Sequence, residues 1–256
     1  MRDTAPIFPM FAAQARVEFL RLLRSPAFAI ATIALPIMFY AFFALQSAHE
    51  TFAGIRAGVY FLGSYSAYAA VTISLFSFGI SVAAERDNGA TRLMRALPLR
   101  PSVYLGAKLA AAIAFCAIAI ACLTAFTLAT GAVRMPPAQW LGMLGVLLAG
   151  SVPFTVLGFA IGYLVNINSA VAVLNLINLP MSFGSGLFMP LAFLPPFVKS
   201  FAPYLPSYHL AQLAWTAVGA PGESAVRAFG WLAAYFVLFA AVALRAYQRE
   251  ERKSFA

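Results

Sequence analysis

The chain has 256 residues, 62% of them hydrophobic and only 10% charged, with a mean hydropathy of +0.85. Soluble domains carry about 25% charged residues, so this composition excludes an ordinary soluble domain. It marks an all-α integral membrane protein, read as one domain over residues 1–256. The net charge of +9 does not predict a nucleic-acid partner, because the basic residues flank apolar runs rather than gathering on a water-facing patch.

In chain order, residues 8–24 come first. Phe8, Ala12, Ala15, Phe19, Leu22 and Leu23 recur at helical spacing. Gln14, Glu18, Arg21 and Arg24 fall largely on the other arc. This predicts an amphipathic helix lying in the membrane interface. Ser25 and Pro26 suit an N-cap and a first helical position. The apolar run from Pro26 to Leu45 is longer than the roughly 7–15 residues of a signal-peptide core, so a retained first span is expected.

Six spans are predicted, at about 26–46, 57–83, 109–131, 138–163, 170–189 and 228–244. The run from Met135 to Val198 has no charged residue and is too long for one crossing of about 20 residues. Asn166, Ile167, Asn168 and Ser169 supply the polar break at which it turns. Assigning residues 1–25, 84–108, 164–169 and 245–256 to the cytoplasm places most of the 17 Lys and Arg inside, with both termini cytoplasmic. The two cysteines, Cys116 and Cys122, are six residues apart in one apolar run. That is about 240° around a helix, so neither a disulfide nor a metal site is expected.

Between the second and third spans lies the densest charged island of the chain, residues 84–102. Glu85, Arg86, Asp87, Arg92 and Arg95 separate two runs without charge. Asn88 and Gly89 signal a turn. Ala90, Leu93, Met94 and Leu97 then share one apolar face before Pro98. A loop that only set topology would not need that face, so a helix docking a cytoplasmic partner is expected.

Three further patterns stand out. Gly63, Ala67, Ala70, Ser74, Ser77 and Ser81 form a small-residue stripe on the second span, suited to close helix approach. It is a seam either within the subunit or against a second copy. Asn175, Asn178, Ser182 and Ser185 line one face of the fifth span. Amides are costly toward lipid, so this face is expected to line a pathway. Pro190, Pro195, Pro196, Pro203 and Pro206 crowd residues 190–207 among aromatics. Proline excludes one long helix, so short helices re-entering the outer leaflet are expected. No acidic residue lies within the predicted spans, the two histidines His49 and His209 both fall on the outer side as lone interfacial residues, and no lysine follows a glycine as in an ATP-binding P-loop. The chain is not expected to be an enzyme.

Together these residues resemble the membrane subunit of ABC export systems of the second type, which serve drug, polysaccharide and lipid export. The island of that family commonly reads E-R-x-x-G-T-x-E-x-L-x-x-x-P. Glu85, Arg86, Gly89 and Pro98 fit it, while Ala90, Arg92 and Met94 depart from it. Leu194-Pro195-Pro196 and Pro203-x-x-Pro206-x-Tyr208 form the second match. The resemblance implies a permease in a bacterial inner membrane that works as a dimer, surrounded by lipids, with ATP and Mg bound on a separate ATPase subunit. It implies that Glu85, Arg86, Gly89 and Met94, with Thr91, Arg92 and Leu93 beside them, couple to that ATPase. It assigns Pro195, Pro196, Pro203, Pro206 and Tyr208 to an outer gate. The alternative is a transporter driven by an ion gradient, which usually holds an ionisable residue at mid-bilayer.

Overall fold

A computed structural model describes residues 7–89 and 101–253. Among them, six helical segments are long and apolar enough to cross a membrane: Pro26–Ala44, Ala57–Asp87, Ser102–Ala129, Pro137–Leu164, Ile167–Gly184 and Ala225–Glu250. Each corresponds to one predicted span. They run alternately up and down, so the first residue of the first span and the last residue of the sixth lie at the same end of the bundle as the charged island. That end is called the island end below.

Helix α1 (Ile7–Leu23) packs on the third span, with Phe19 edge-on to Phe115. Glu18 is buried and Phe8 is 77% exposed, so the polar arc faces the bundle and much apolar surface faces outward. The cause is an ionic partner inside the bundle, described below. Ser25 and Pro26 open α2 (Pro26–Phe39) as expected, although the Ser25 hydroxyl makes no cap bond. Pro36 sits inside α2, and a single π turn, Tyr40–Ala44, follows it. This turn ends the first span with Tyr40 fully buried, its hydroxyl donating to the Gly58 carbonyl at 3.1 Å.

A two-residue hairpin then joins the first two spans. β1 (Thr51–Phe52) pairs antiparallel with β2 (Ile55–Arg56). Ala53 and Gly54 both adopt positive φ, 50° and 79°, as the tightest hairpin turns demand. The run of polar residues there carries no strand-length periodicity, so this element was not foreseen.

α3 (Ala57–Asp87) is the central helix, buried along most of its length by other helices of the same chain. The small-residue stripe explains how that is possible. Gly63, Ala67, Ala70, Ser74, Ser77 and Ser81 are all buried and leave room for neighbouring backbones. α4 (Pro101–Ala129) begins well before residue 109 of the prediction, because the helix extends past the apolar run through Lys108. The fourth span is two helices, α5 (Pro137–Gly150) and α6 (Val152–Leu164). They meet at Ser151, whose hydroxyl donates back to the Leu148 carbonyl at 2.9 Å, and Pro153 lacks the N–H that would continue the ladder.

α6 makes the closest crossing with α3. A Cβ at Gly158 would collide with the Leu75 carbonyl, and one at Gly162 would stand 2.8 Å from Val82 Cβ and 2.9 Å from the Gly79 carbonyl oxygen. α7 (Ile167–Gly184) is capped by Asn166, which accepts from the Ser169 N–H at 3.0 Å. It ends five residues before the predicted 189, at the Gly184–Gly186 turn, where Gly186 has φ 79°.

The proline-rich stretch is a series of short pieces, as expected. A 3-10 turn at Leu191–Phe193 leads to α8 (Pro196–Phe201), a second 3-10 turn at Ala202–Tyr204, and α9 (Pro206–Ala217). α9 is deeply buried. Its Trp215 stacks on Tyr60 with centroids 4.9 Å apart and donates to Ser64 Oγ at 2.8 Å. α10 (Ala225–Lys253) closes the bundle against α6 and α9. Its outer face exposes Val226, Val237, Leu238 and Leu244, an apolar surface suited to lipid.

The α3–α6 contact yields a stability test. Gly158→Ala places a methyl where the Leu75 carbonyl already lies, and overpacking costs about 1–3 kcal/mol. The melting temperature of the purified variant in detergent is expected to fall. Gly142→Ala, where a Cβ meets nothing within 4 Å, is expected to leave it unchanged.

Candidate functional site

The site is built at the island end, where α1, α3 and α4 converge. Tyr104 and Lys108 are one helical turn apart on α4, and Ser81 and Glu85 are one turn apart on α3. Lys108 is 3% exposed. Its ammonium lies 2.6 Å from Glu85 Oε1 and 2.9 Å from Glu18 Oε1, and donates to Ser81 Oγ at 3.3 Å. Three donors thus meet three acceptors. The nitrogen also stands 4.9 Å from the centroid of the Tyr104 ring, whose hydroxyl donates to Glu85 Oε2.

Arg21 completes the cluster. Its guanidinium lies 2.7 Å from Glu18 Oε2 and 3.4 Å from Glu85 Oε1, and Gln14 donates to Glu18 Oε1 at 3.2 Å. Two carboxylates therefore face two cations, and the network is neutral. A lone buried charge would cost several kcal/mol, and the pairing is what makes burial tolerable. It also explains why α1 turns its polar arc inward.

The next two residues tie α3 to the other side of the bundle. Arg86 donates to the carbonyls of Tyr163 at 2.6 Å, Val165 at 2.8 Å and Gly162 at 3.4 Å, which are open acceptors at the C-terminus of α6. A cation there is also favoured by the helix dipole. Its Nε lies 3.8 Å from Glu250 Oε1 on α10. Asp87 accepts from the Ile167 N–H at 2.7 Å, at the N-terminus of α7. Arg86 and Asp87 thus hold the turn between the fourth and fifth spans from both sides. Gly89, with φ 71°, then ends the described part of the island. Thr91, Arg92, Leu93 and Met94 lie outside the described residues.

The polar face of α7 divides. Asn178, Ser182 and Ser185 are buried and bonded within the chain. The Asn178 amide donates to Thr72 Oγ1 at 3.1 Å. Ser182 donates to Asn178 Oδ1 at 3.4 Å, and Ser185 pairs with Ser207. Asn175 is half-buried at the edge of a face that exposes Leu176, Leu179 and Phe183.

At the opposite end, Pro195 precedes α8 and Pro196 opens it, and Pro206 opens α9. Pro203 lies in the 3-10 turn between them, and Tyr208 is half-buried on α9. Beside them His209 faces Glu223 and the Pro203 carbonyl, a pairing that the sequence pattern did not predict.

Sequence reasoning also missed the roles of Glu18, Tyr104 and Lys108. A signal was present. Tyr104–Lys108 and Ser81–Glu85 are each four residues apart and carry complementary groups toward the same end of the bundle. Charge inside a helix that continues into an apolar run calls for a partner.

Removing one member of the network should be costly. Lys108→Met leaves Glu18 and Glu85 without their shared cation, and loss of one partner of a buried pair typically costs about 3–5 kcal/mol. Denaturation in mixed micelles is expected to show a loss of that order, while Lys199→Met, on an exposed residue, is expected to show almost none.

Comparison with known proteins agrees with this architecture. The family described as ABC-2 family transporter protein matches residues 47–245, from the hairpin to the last span. The chain is also 28% identical, over 228 residues, to the Bacillus subtilis (strain 168) protein named "Putative transport permease YvfS", covering 88% of this chain and 92% of that protein. The family match spans more than half of the sequence, so this chain belongs to the ABC-2 family of transporter membrane proteins.

Proposed function

We propose that this chain is the membrane subunit of an ATP-driven exporter. It pairs with a second copy of itself and binds a separate ATPase subunit that carries ATP and Mg. The island end faces the cytoplasm of a bacterial cell, as the concentration of Lys and Arg there favours. The chain forms the pathway and performs no chemistry itself.

The observation that carries this reading is the attachment of the island. Glu85 is joined through Lys108 to α1 and α4. Arg86 and Asp87 join the same turn of α3 to α6, α7 and α10. A partner pressing on residues 90–100 would therefore act on every one of those helices at once, which is what conversion of ATP-driven motion into rearrangement of a pathway needs. In this reading Glu85 and Arg86 transmit the motion inward, and Gly89, Thr91, Arg92, Leu93 and Met94 meet the ATPase.

Asn175, at the edge of the exposed apolar face of α7, favours an amphipathic or lipid-like cargo over a small ion. Asn178, Ser182 and Ser185 support the pathway wall from behind. The proline-rich segment with Pro195, Pro196, Pro203, Pro206 and Tyr208 forms the exit.

The test is purification of the tagged chain in two mild detergents. A P-loop protein is expected to accompany it at equal stoichiometry. Leu93→Asp is expected to lose that partner, and ATP-dependent export with it, while inserting normally. Absence of a P-loop partner in both detergents would instead favour transport driven by an ion gradient.

A further inference from the structure

His209 is 1% exposed at the end of the bundle opposite the island. Its ring is gripped on all sides. Nδ1 lies 2.5 Å from Glu223 Oε1. Nε2 lies 3.0 Å from the carbonyl oxygen of Pro203. One ring face stacks on Trp231 of α10, with centroids 5.3 Å apart and planes 10° from parallel.

Both ring nitrogens therefore face oxygen atoms. A carbonyl oxygen only accepts, and so does an ionised carboxylate. A neutral imidazole has one N–H and would oppose a lone pair to one of these oxygens. A doubly protonated ring satisfies both, and a cation over an indole face is favourable. The geometry assigns His209 as a buried imidazolium that pins the proline-rich segment, through the Pro203 carbonyl, to α9 and α10. Its role at an exit rests on the export reading; its charge state does not.

The remaining charged and titratable groups around it fit this assignment. Arg227, in the first turn of α10, lies 3.6 Å from Glu223 Oε2 and sets a second cation beside that carboxylate. The Glu223 N–H is held by Gln212 Oε1 at 3.0 Å, which fixes the approach of its side chain. The Tyr208 hydroxyl titrates above its ordinary range because of burial and of the Glu223 carboxylate, and so is a neutral neighbour of the pair. Tyr235 donates to the Tyr204 carbonyl at 2.5 Å and forms a second, uncharged tie between α10 and the same turn. The sign follows from the bonds. The charged ring makes both contacts, and loss of its proton abolishes one, so the segment is held more tightly on the acid side and loosens as pH rises.

Two measurements on the full chain in lipid nanodiscs, without ATP or any partner, test this. In a His49→Gln background His209 is the sole histidine, and 15N-histidine NMR reads its two nitrogens. At about pH 7 both are expected in the protonated range, and Glu223→Gln is expected to return the ring to a neutral form. A neutral ring in the native chain, including one that accepts a proton from a protonated Glu223, would overturn the assignment. Should Glu223→Gln fail to fold, the native titration still decides.

The second measurement places a spin label at Phe197→Cys, an exposed site on α8, with Cys116 and Cys122 changed to alanine. Label mobility is expected to rise as the ring deprotonates and to be high at every pH in His209→Gln. Mobility that ignores pH while the ring titrates would overturn the positioning role. Neither readout depends on transport, so failure here is distinct from failure of the export proposal.

Discussion

The junction of α1, α3 and α4 depends on one ammonium group held away from water. Lys108 is almost fully enclosed and survives there because Glu18 and Glu85 come to it from two other helices. Arg21 is the second cation to both carboxylates. The pairing fixes the rotation of α1, which must give up the burial of Phe8 to present Glu18, and it fixes where α3 ends relative to α4. Buried ion pairs of this kind add little net stability over apolar packing, but they tolerate few alternative arrangements. Their contribution here is registry among three helices that apolar contacts alone would leave free to slide.

The two ends of the bundle are built on different principles. At the island end, charged groups span between helices and seize open helix termini, as Arg86 and Asp87 do. At the other end, prolines divide the chain into short pieces that are held by rings, hydroxyls and one His–Glu contact. Between them α3 runs as a closely packed axis whose glycine and serine positions admit α6 and α9. A rigid receiving end, a packed axis and a segmented far end suit a protein that takes up force on one side and opens on the other.

Much of this was legible in the sequence. Length and hydropathy located six spans because a bilayer core sets a minimum run of apolar residues, and prolines located the segmented stretch. Helix ends were less legible. α4 starts before its apolar run because Tyr104 and Lys108 are helical yet polar, and α7 stops at Gly184, just before Gly186, whose positive φ composition does not reveal. The rotation of α1 was not legible, because a single helix shows only which residues share an arc, whereas Glu18 is drawn inward by a lysine 90 residues away. In the candidate site, Glu85 and Arg86 stood out by their position in the island. Their partners Lys108, Tyr163 and Val165 did not, since carbonyl acceptors carry no residue signature and pairing across helices is a property of the fold. Asn178 was seen as polar and face-sharing, but its hydrogen bond to Thr72 could not be.

Lys108 and Glu85 act as one unit joining the end of α3 to α1 and α4. A double-mutant cycle on these two residues, with Lys108→Met, Glu85→Gln and the double variant unfolded in mixed micelles, measures it directly. Strong coupling is expected, in the upper part of the roughly 0.5–3 kcal/mol found for contacting pairs, with the double variant less damaged than the sum of the singles. Additive losses, with coupling below about 0.5 kcal/mol, would show that the two charges act independently and that something else holds the island in place.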